Sequence, residues 1–220
     1  MTEAAASVIM GAPKRGFWRG GDDGERHHDA GVAYMCWFLS KNKTADWETA
    51  AEAMGRAAQR LAQEFETVTT GNVGVLVRPS ADQAPEAAKA EVDAALGALS
   101  SADARFDVVT DGEGHPWVVI RGDGLSELAA ATGVIGTALE AGGLGDRVIA
   151  AIYPFRWKDR RVYWMYQPRV QAYTPFAPLG DDEDSERDHP LELRMEAALR
   201  KTLPTAKHIS EWYPIWGMPI

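Results

Sequence analysis

The sequence is short of cysteine, of basic residues and of long apolar runs, and each shortage closes off a class of protein. Cys36 is the single cysteine among 220 residues. The chain therefore cannot close a disulfide on itself and reads as a protein of a reducing compartment. The longest uninterrupted apolar run, Val32 to Leu39, has eight residues, whereas a membrane-spanning helix needs about 20. The first ten residues hold no Lys or Arg ahead of an apolar core, so no secretory signal is expected and the chain reads as cytoplasmic. Lys and Arg number 23 against 32 acids, a formal net charge of −9. That sign argues against nucleic-acid binding, which needs basic patches to displace counterions. It argues equally against electrostatic docking on anionic lipid.

Signatures of chemistry are scarce too. No glycine-rich loop follows a strand and opens a helix. Gly142, Gly143 and Gly145 come after a helical stretch and read as its stop. There is no Gly-x-Ser-x-Gly elbow. What remains is an ordinary globular composition, 45% hydrophobic and 25% charged. A chain of this length buries about 70% of its unfolded surface without a disulfide or metal staple.

Residues 1–45 read as a peripheral arm, because Gly11, Gly16, Gly20, Gly21 and Gly24 punctuate a polar stretch with little apolar area to offset its ordering entropy. Residues 46–220 read as a single α+β domain. Trp47, Ala50, Met54, Ala57, Leu61 and Phe65 recur at steps of three or four, the stripe of a helix over 46–66 with Asp46 as its cap. Val73, Val75 and Val77 alternate as a strand that Pro79 ends. Pro85 opens a second helix with Ala88, Val92, Ala95, Leu96 and Leu99 on its apolar face. A hairpin follows, with arms Phe106–Thr110 and Trp117–Arg121 joined through Asp111-Gly112-Glu113-Gly114. Asp123 is expected to cap a third helix reaching about Glu140, with Leu125, Leu128, Thr132, Ile135 and Leu139 inward. A second hairpin pairs Val148–Phe155 with Val162–Gln167 around a charged turn at Lys158–Arg160. Pro190 opens a last helix with Leu191, Met195, Ala198 and Leu199 inward, and an aromatic tail closes the chain. The order α-β-α-β-β-α-β-β-α predicts a mostly antiparallel sheet, two hairpins plus one strand, covered by helices on one face. By pattern it is analogous to the compact folds of secretion chaperones, and such an analogy carries no function.

Each candidate for chemistry has a plainer reading. His27 and His28 lie in the Gly-rich arm, where a metal site would lack rigid, correctly spaced ligands. His115 sits in a hairpin turn, and His189 beside Asp188 suits a helix start as well as a base and its orienter. A small hydrolase built on His189 or His208 with neighbouring acids is one alternative, and a ligand-sensing domain with an apolar cavity is another. Cys36, between Met35 and Trp37, reads as packing. Asp181, Asp182, Glu183, Asp184, Glu186 and Asp188 stand against Arg187, a local net of −5. Asp182, Asp184 and Glu186 alternate as calcium ligands would, without the glycine that a calcium loop needs at its turn. The run reads as a solvated loop. Eight tryptophans are present, Trp212 and Trp216 of them in the tail Glu211-Trp212-Tyr213-Pro214-Ile215-Trp216-Gly217. Pro214 forbids a long helix there, so the tail is expected to lie across the sheet or over a helix, or to form an exposed partner-binding patch. No catalytic, metal or cofactor residues are assigned.

Three stretches carry a resemblance: Tyr173-Thr174-Pro175-Phe176-Ala177-Pro178, the tail Glu211–Gly217 after the helix at Leu191–Leu203, and the segment from about Phe106 to Phe155. Over residues of about 65–220 the chain resembles the PspA-associated protein family PspAB. The N-terminal part departs from it: the family starts on a short apolar segment, whose counterpart here, Val32–Leu39, lies further downstream. The resemblance implies a cytoplasmic accessory of a phage-shock-type envelope-stress response, with no catalytic residues to carry over. Its implied partner is PspA, a coiled-coil membrane-remodelling protein; the chain is expected to be a non-enzymatic adaptor that binds PspA or a stress-linked membrane protease. Contacts are expected from Tyr173, Phe176, Trp212, Tyr213 and Trp216, with Asp182 and Asp184 steering a basic helix. Val32–Leu39 is the expected point of any peripheral membrane contact.

Overall fold

A computed structural model of the chain describes residues 45–99, 105–180 and 185–220. The expected arm over 1–45, apart from Ala45, lies outside the described residues, and with it His27, His28, Cys36 and Val32–Leu39. Among the described residues there are four α-helices: α1 Trp47–Phe65, α2 Pro85–Ala95, α3 Leu125–Ala141 and α4 His189–Leu199. Seven strands accompany them: β1 Val68–Thr69, β2 Asn72–Val77, β3 Phe106–Thr110, β4 Pro116–Arg121, β5 Val148–Trp157, β6 Arg160–Gln167 and β7 Ala172–Phe176. All pair antiparallel in one sheet of order β3-β4-β2-β5-β6-β7, with β1 on β5.

The α+β class and the helices follow from the sequence, and two strands do not. Neither β1 nor β7 alternates: β7 is Ala-Tyr-Thr-Pro-Phe, buried at every position. Its proline is tolerated because β7 is the outermost strand. There the segment after α4 covers it, through Tyr173 N–H to Pro204 O at 2.7 Å and Ala206 N–H to Tyr173 O at 3.0 Å. The sheet thus has two strands beyond the expected two hairpins and one strand. The cap of α3 is also corrected. Gly124 occupies the N-cap without a side-chain bond. Asp123 instead pairs with Arg105 at 3.3 Å. By contrast Asp46 caps α1 as expected, its Oδ1 accepting from Thr49 N–H at 2.9 Å.

Both faces of the sheet are apolar. Val73, Val75 and Val77 of β2, Val118 and Ile120 of β4, Tyr153 and Phe155 of β5, and Trp164 and Tyr166 of β6 meet the helices. Leu76, Trp117, Val119, Ile152, Tyr163, Met165 and Phe176 face the other way and are buried as well. Ile215, Trp216, Met218 and Ile220 of the tail pack on them. Gly74 makes room: a Cβ there would come within 2.9 Å of the Trp117 ring and 3.0 Å of Ile220 Cδ1.

On the helix side α1 and α3 pack closely because α3 presents Gly133 and Gly136, one turn apart and both buried. A Cβ on Gly136 would fall 2.0 Å from the Trp47 ring. That ring also meets Tyr166 edge-on, with centroids 5.3 Å apart. The Tyr166 and Tyr173 rings meet nearby at a tilt, with centroids 5.1 Å apart. The Tyr173 hydroxyl donates to Ala50 O of α1 at 2.9 Å. Burial holds the Tyr153 phenol neutral, its pKa pushed up to about 12.

The β3–β4 turn is held by Asp111. Its Oδ1 accepts the N–H of Glu113 at 3.0 Å and of His115 at 2.9 Å, and its Oδ2 accepts Trp117 Nε1 at 2.8 Å. Burial is the largest single effect on this carboxyl and works to raise its pKa. The bonds from Trp117, His115 and Glu113, with the nearby His115 charge, together outweigh it and leave the pKa below the ordinary value.

Two measurements check this account. Gly136→Ala should cost about 2–3 kcal/mol by overpacking against Trp47, read by urea unfolding, while Gly97→Ala, which meets open space, should change little. Because the folded pKa of Asp111 is lowered, its contribution is present above the unfolded pKa of about 3.9 and is lost as pH falls below it. The stability gap between wild type and Asp111→Asn should be constant near neutrality and shrink below about pH 4.

Candidate functional site

The residues expected to meet a partner separate into three groups. Tyr173 and Phe176 are fully buried, on opposite faces of β7. Trp212 is 5% exposed and packs with Ala172 and Ala206, its Nε1 donating to Ala206 O at 3.3 Å. These three can touch a partner only if the tail or the sheet moves. Tyr213 and Trp216 are half-buried and keep an outward surface. Trp216 stands edge-on to Phe176 with centroids 4.9 Å apart. Asp182 and Asp184 lie outside the described residues. The loop that carries them is closed by an antiparallel bridge between Pro178 and Arg187.

At the base of that loop is a cluster that the sequence reading missed. Glu192, in the first turn of α4, has no exposed surface. Arg187 grips it in a fork, Nε to Oε1 at 3.0 Å and Nη2 to Oε2 at 3.1 Å. Ala177 N–H donates to Oε1 at 2.9 Å, and His189 Nδ1 lies 3.0 Å from Oε2. The third Arg187 nitrogen, Nη1, donates to Trp212 O at 2.7 Å. Its guanidinium lies over the Phe176 ring at 5.3 Å. One arginine thus joins the end of β7, the start of α4 and the tail. Its position is set by the next residue. Asp188 caps α4 through Leu191 N–H at 3.0 Å and accepts from Arg160 of β6 at 2.8 Å. The Arg160 hydrogen bond is the main reason the Asp188 carboxyl stays below its usual pKa. The spacing of Glu192 with Met195 and Leu199, three and then four residues on, was the available signal that Glu192 faces inward.

The tail is held at two points by arginines, since Arg161 Nη1 donates to Ile220 O at 2.9 Å. Between these two points Ile215, Trp216 and Met218 pack their side chains on the sheet.

Among the described residues the histidines do not assemble into one site. His189 is exposed and shares its carboxylate with Arg187 and with the main chain at Ala177. His208 is exposed beside Glu211, which accepts its main-chain N–H at 3.3 Å. Among the described residues no group of three or more His, Cys, Asp or Glu is placed to hold a metal ion. No described helix is long and apolar enough to cross a membrane. An apolar crevice opens between α1, α4 and the β5–β6 hairpin. It measures about 230 Å³ with its open mouth and has no interior space the size of a water molecule. That is far from the large closed cavity of a ligand sensor.

Breaking a buried pair by removing one partner strands the other charge, at a cost of about 3–5 kcal/mol. Glu192→Ala should therefore lower the urea midpoint strongly and speed hydrogen exchange in the tail. The double change Arg187→Met with Glu192→Leu should lose much less stability.

Neither curated proteins nor solved structures give a match to this chain. The family model of PspA associated protein B matches residues 37–220. The match takes in every described element, the arginine-held tail and the Tyr173–Pro178 stretch. With most of its length so matched, the chain belongs to the PspA associated protein B family.

Proposed function

We propose that this protein is a non-enzymatic adaptor of a PspA-type envelope-stress response, binding PspA, a coiled-coil protein, directly. The observation that carries the reading is membership of a family named for association with PspA. The protein works in the cytoplasm and reaches the inner face of the membrane through its partner. A stress-linked membrane protease is a second partner of the same kind.

The contact surface is the outward side of the tail. Tyr213, Ile215, Trp216 and Met218 are half-buried there, so they offer apolar area on a backbone already ordered by Arg187 and Arg161. Aromatic residues held this way suit the centre of an interface, because little further entropy is lost on binding. A helix of the coiled coil lies along this strip in the manner of helix-in-groove recognition. The acidic run with Asp182 and Asp184 steers a basic stretch of that helix toward it.

Tyr213→Ala and Trp216→Ala should each weaken binding of purified PspA by about tenfold or more, near 1.4 kcal/mol, with the circular dichroism spectrum retained. If both variants unfold instead, these side chains belong to the core and the contact surface is elsewhere.

A further inference from the structure

We infer that the outer edge of β3 pairs antiparallel with the same edge of a second copy of this chain, joining two sheets across a two-fold axis at Val108. The sheet ends on β7 and on β3. The segment after α4 covers β7, through the bonds of Tyr173 with Pro204 and Ala206. Among the described residues no strand and no main-chain bond covers the outer side of β3. Its pairing with β4 fixes which groups point outward. Arg121 N–H donates to Arg105 O at 2.7 Å, and Asp111 N–H donates to His115 O at 3.0 Å. Along an antiparallel ladder, hydrogen-bonded pairs alternate with pairs that exchange no bonds. Arg105, Asp107, Val109 and Asp111 therefore direct their main-chain groups to β4, with Asp107 opposite Val119 and Val109 opposite Trp117. Phe106, Val108 and Thr110 turn their N–H and C=O groups away from the sheet. A row of this kind is a template for another strand.

The strand is complementary to itself, and this selects a second copy over a foreign strand. Turned end for end about Val108, β3 sets Phe106 opposite Thr110 of the copy and Val108 opposite its counterpart. Every outward N–H then meets an outward C=O. A shift by one residue would set these groups against others already bonded to β4. The side chains agree with the register. Asp107 comes opposite Val109, so it meets no like charge, and Arg121 of its own chain already pairs with it. Arg105, an exposed base, comes opposite Asp111, whose turn also carries the exposed Glu113. Opposite charges thus face each other at both ends of the joint, which favours this orientation. Phe106 and Val109 are only half-buried, one on each face of the sheet. Each gains an apolar or β-branched neighbour across the joint, Thr110 and Val108 for Phe106.

Sedimentation equilibrium of the full chain measures the pairing, and amide hydrogen exchange locates it. The chain should dimerise reversibly as its concentration rises. Exchange at Phe106, Val108 and Thr110 should slow in step, while Asp107 and Val109, already bonded to β4, stay protected at every concentration. Thr110→Pro removes an outward N–H and leaves the β4 ladder whole. It should weaken the dimer about tenfold or more, because the symmetry deletes the bond twice, with little change in melting temperature. Should this variant fail to fold, exchange in the wild-type chain decides alone. A chain that stays monomeric at millimolar concentration overturns the inference. So does a dimer that leaves those three amides unprotected, or one that folded Thr110→Pro forms as tightly as wild type, since the copies then join elsewhere. Protection that appears only when PspA is added would give this edge to PspA and overturn the inference as well, while the adaptor reading stands.

Discussion

A sheet that is apolar on both faces must be covered twice, and this constraint organises the molecule. Val73, Val75 and Val77 look toward the helices while Leu76, beside them, looks the other way and is buried too. Among the described residues four helices cover the first face, and the second has only the tail, in which Pro214 prevents a long helix. Such a segment cannot hold itself in place through a hydrogen-bond ladder. Arg187 and Arg161 fix it to the protein instead, through Trp212 O and Ile220 O. The buried Glu192 fixes Arg187 in turn. Burying that carboxylate is costly unless it is fully paired. Here a forked guanidinium, a main-chain N–H and a histidine surround it.

The helices were legible in the sequence because their signals are local. Asp46, Pro85 and Pro190 mark helix starts, and the apolar stripes have a period near 3.6. The two hairpins were legible for the same reason. The hidden parts depend on contacts distant in sequence. β7 has no alternation because both its faces are covered, one by α1 and the other by Trp216. Asp123 had the right residue type for a cap, yet the backbone placed Gly124 there and left Asp123 to Arg105. Glu192 looked like an exposed acid of a first turn, because nothing nearby in sequence announces that Arg187 folds back on it.

The site was legible only in outline. The tail was identified as either a closing segment or a contact patch, and the structure divides it residue by residue. Trp212 closes the fold, while Tyr213 and Trp216 do so on one side and face solvent on the other. Under the adaptor role proposed above, a strip ordered before the partner arrives would lower the entropy lost on association.

The central claim is that residues 212–220 are the second covering layer of the sheet. Urea unfolding of the chain ending at Glu211, followed by tryptophan fluorescence and by binding of a hydrophobic dye, tests it most directly. The account predicts a much lower midpoint, a less cooperative transition and strong dye binding in the absence of urea, because the face with Leu76, Val119, Ile152 and Met165 is then open to water. An unchanged midpoint and cooperativity with no dye bound would contradict it, and the tail would then be an appendage rather than part of the core.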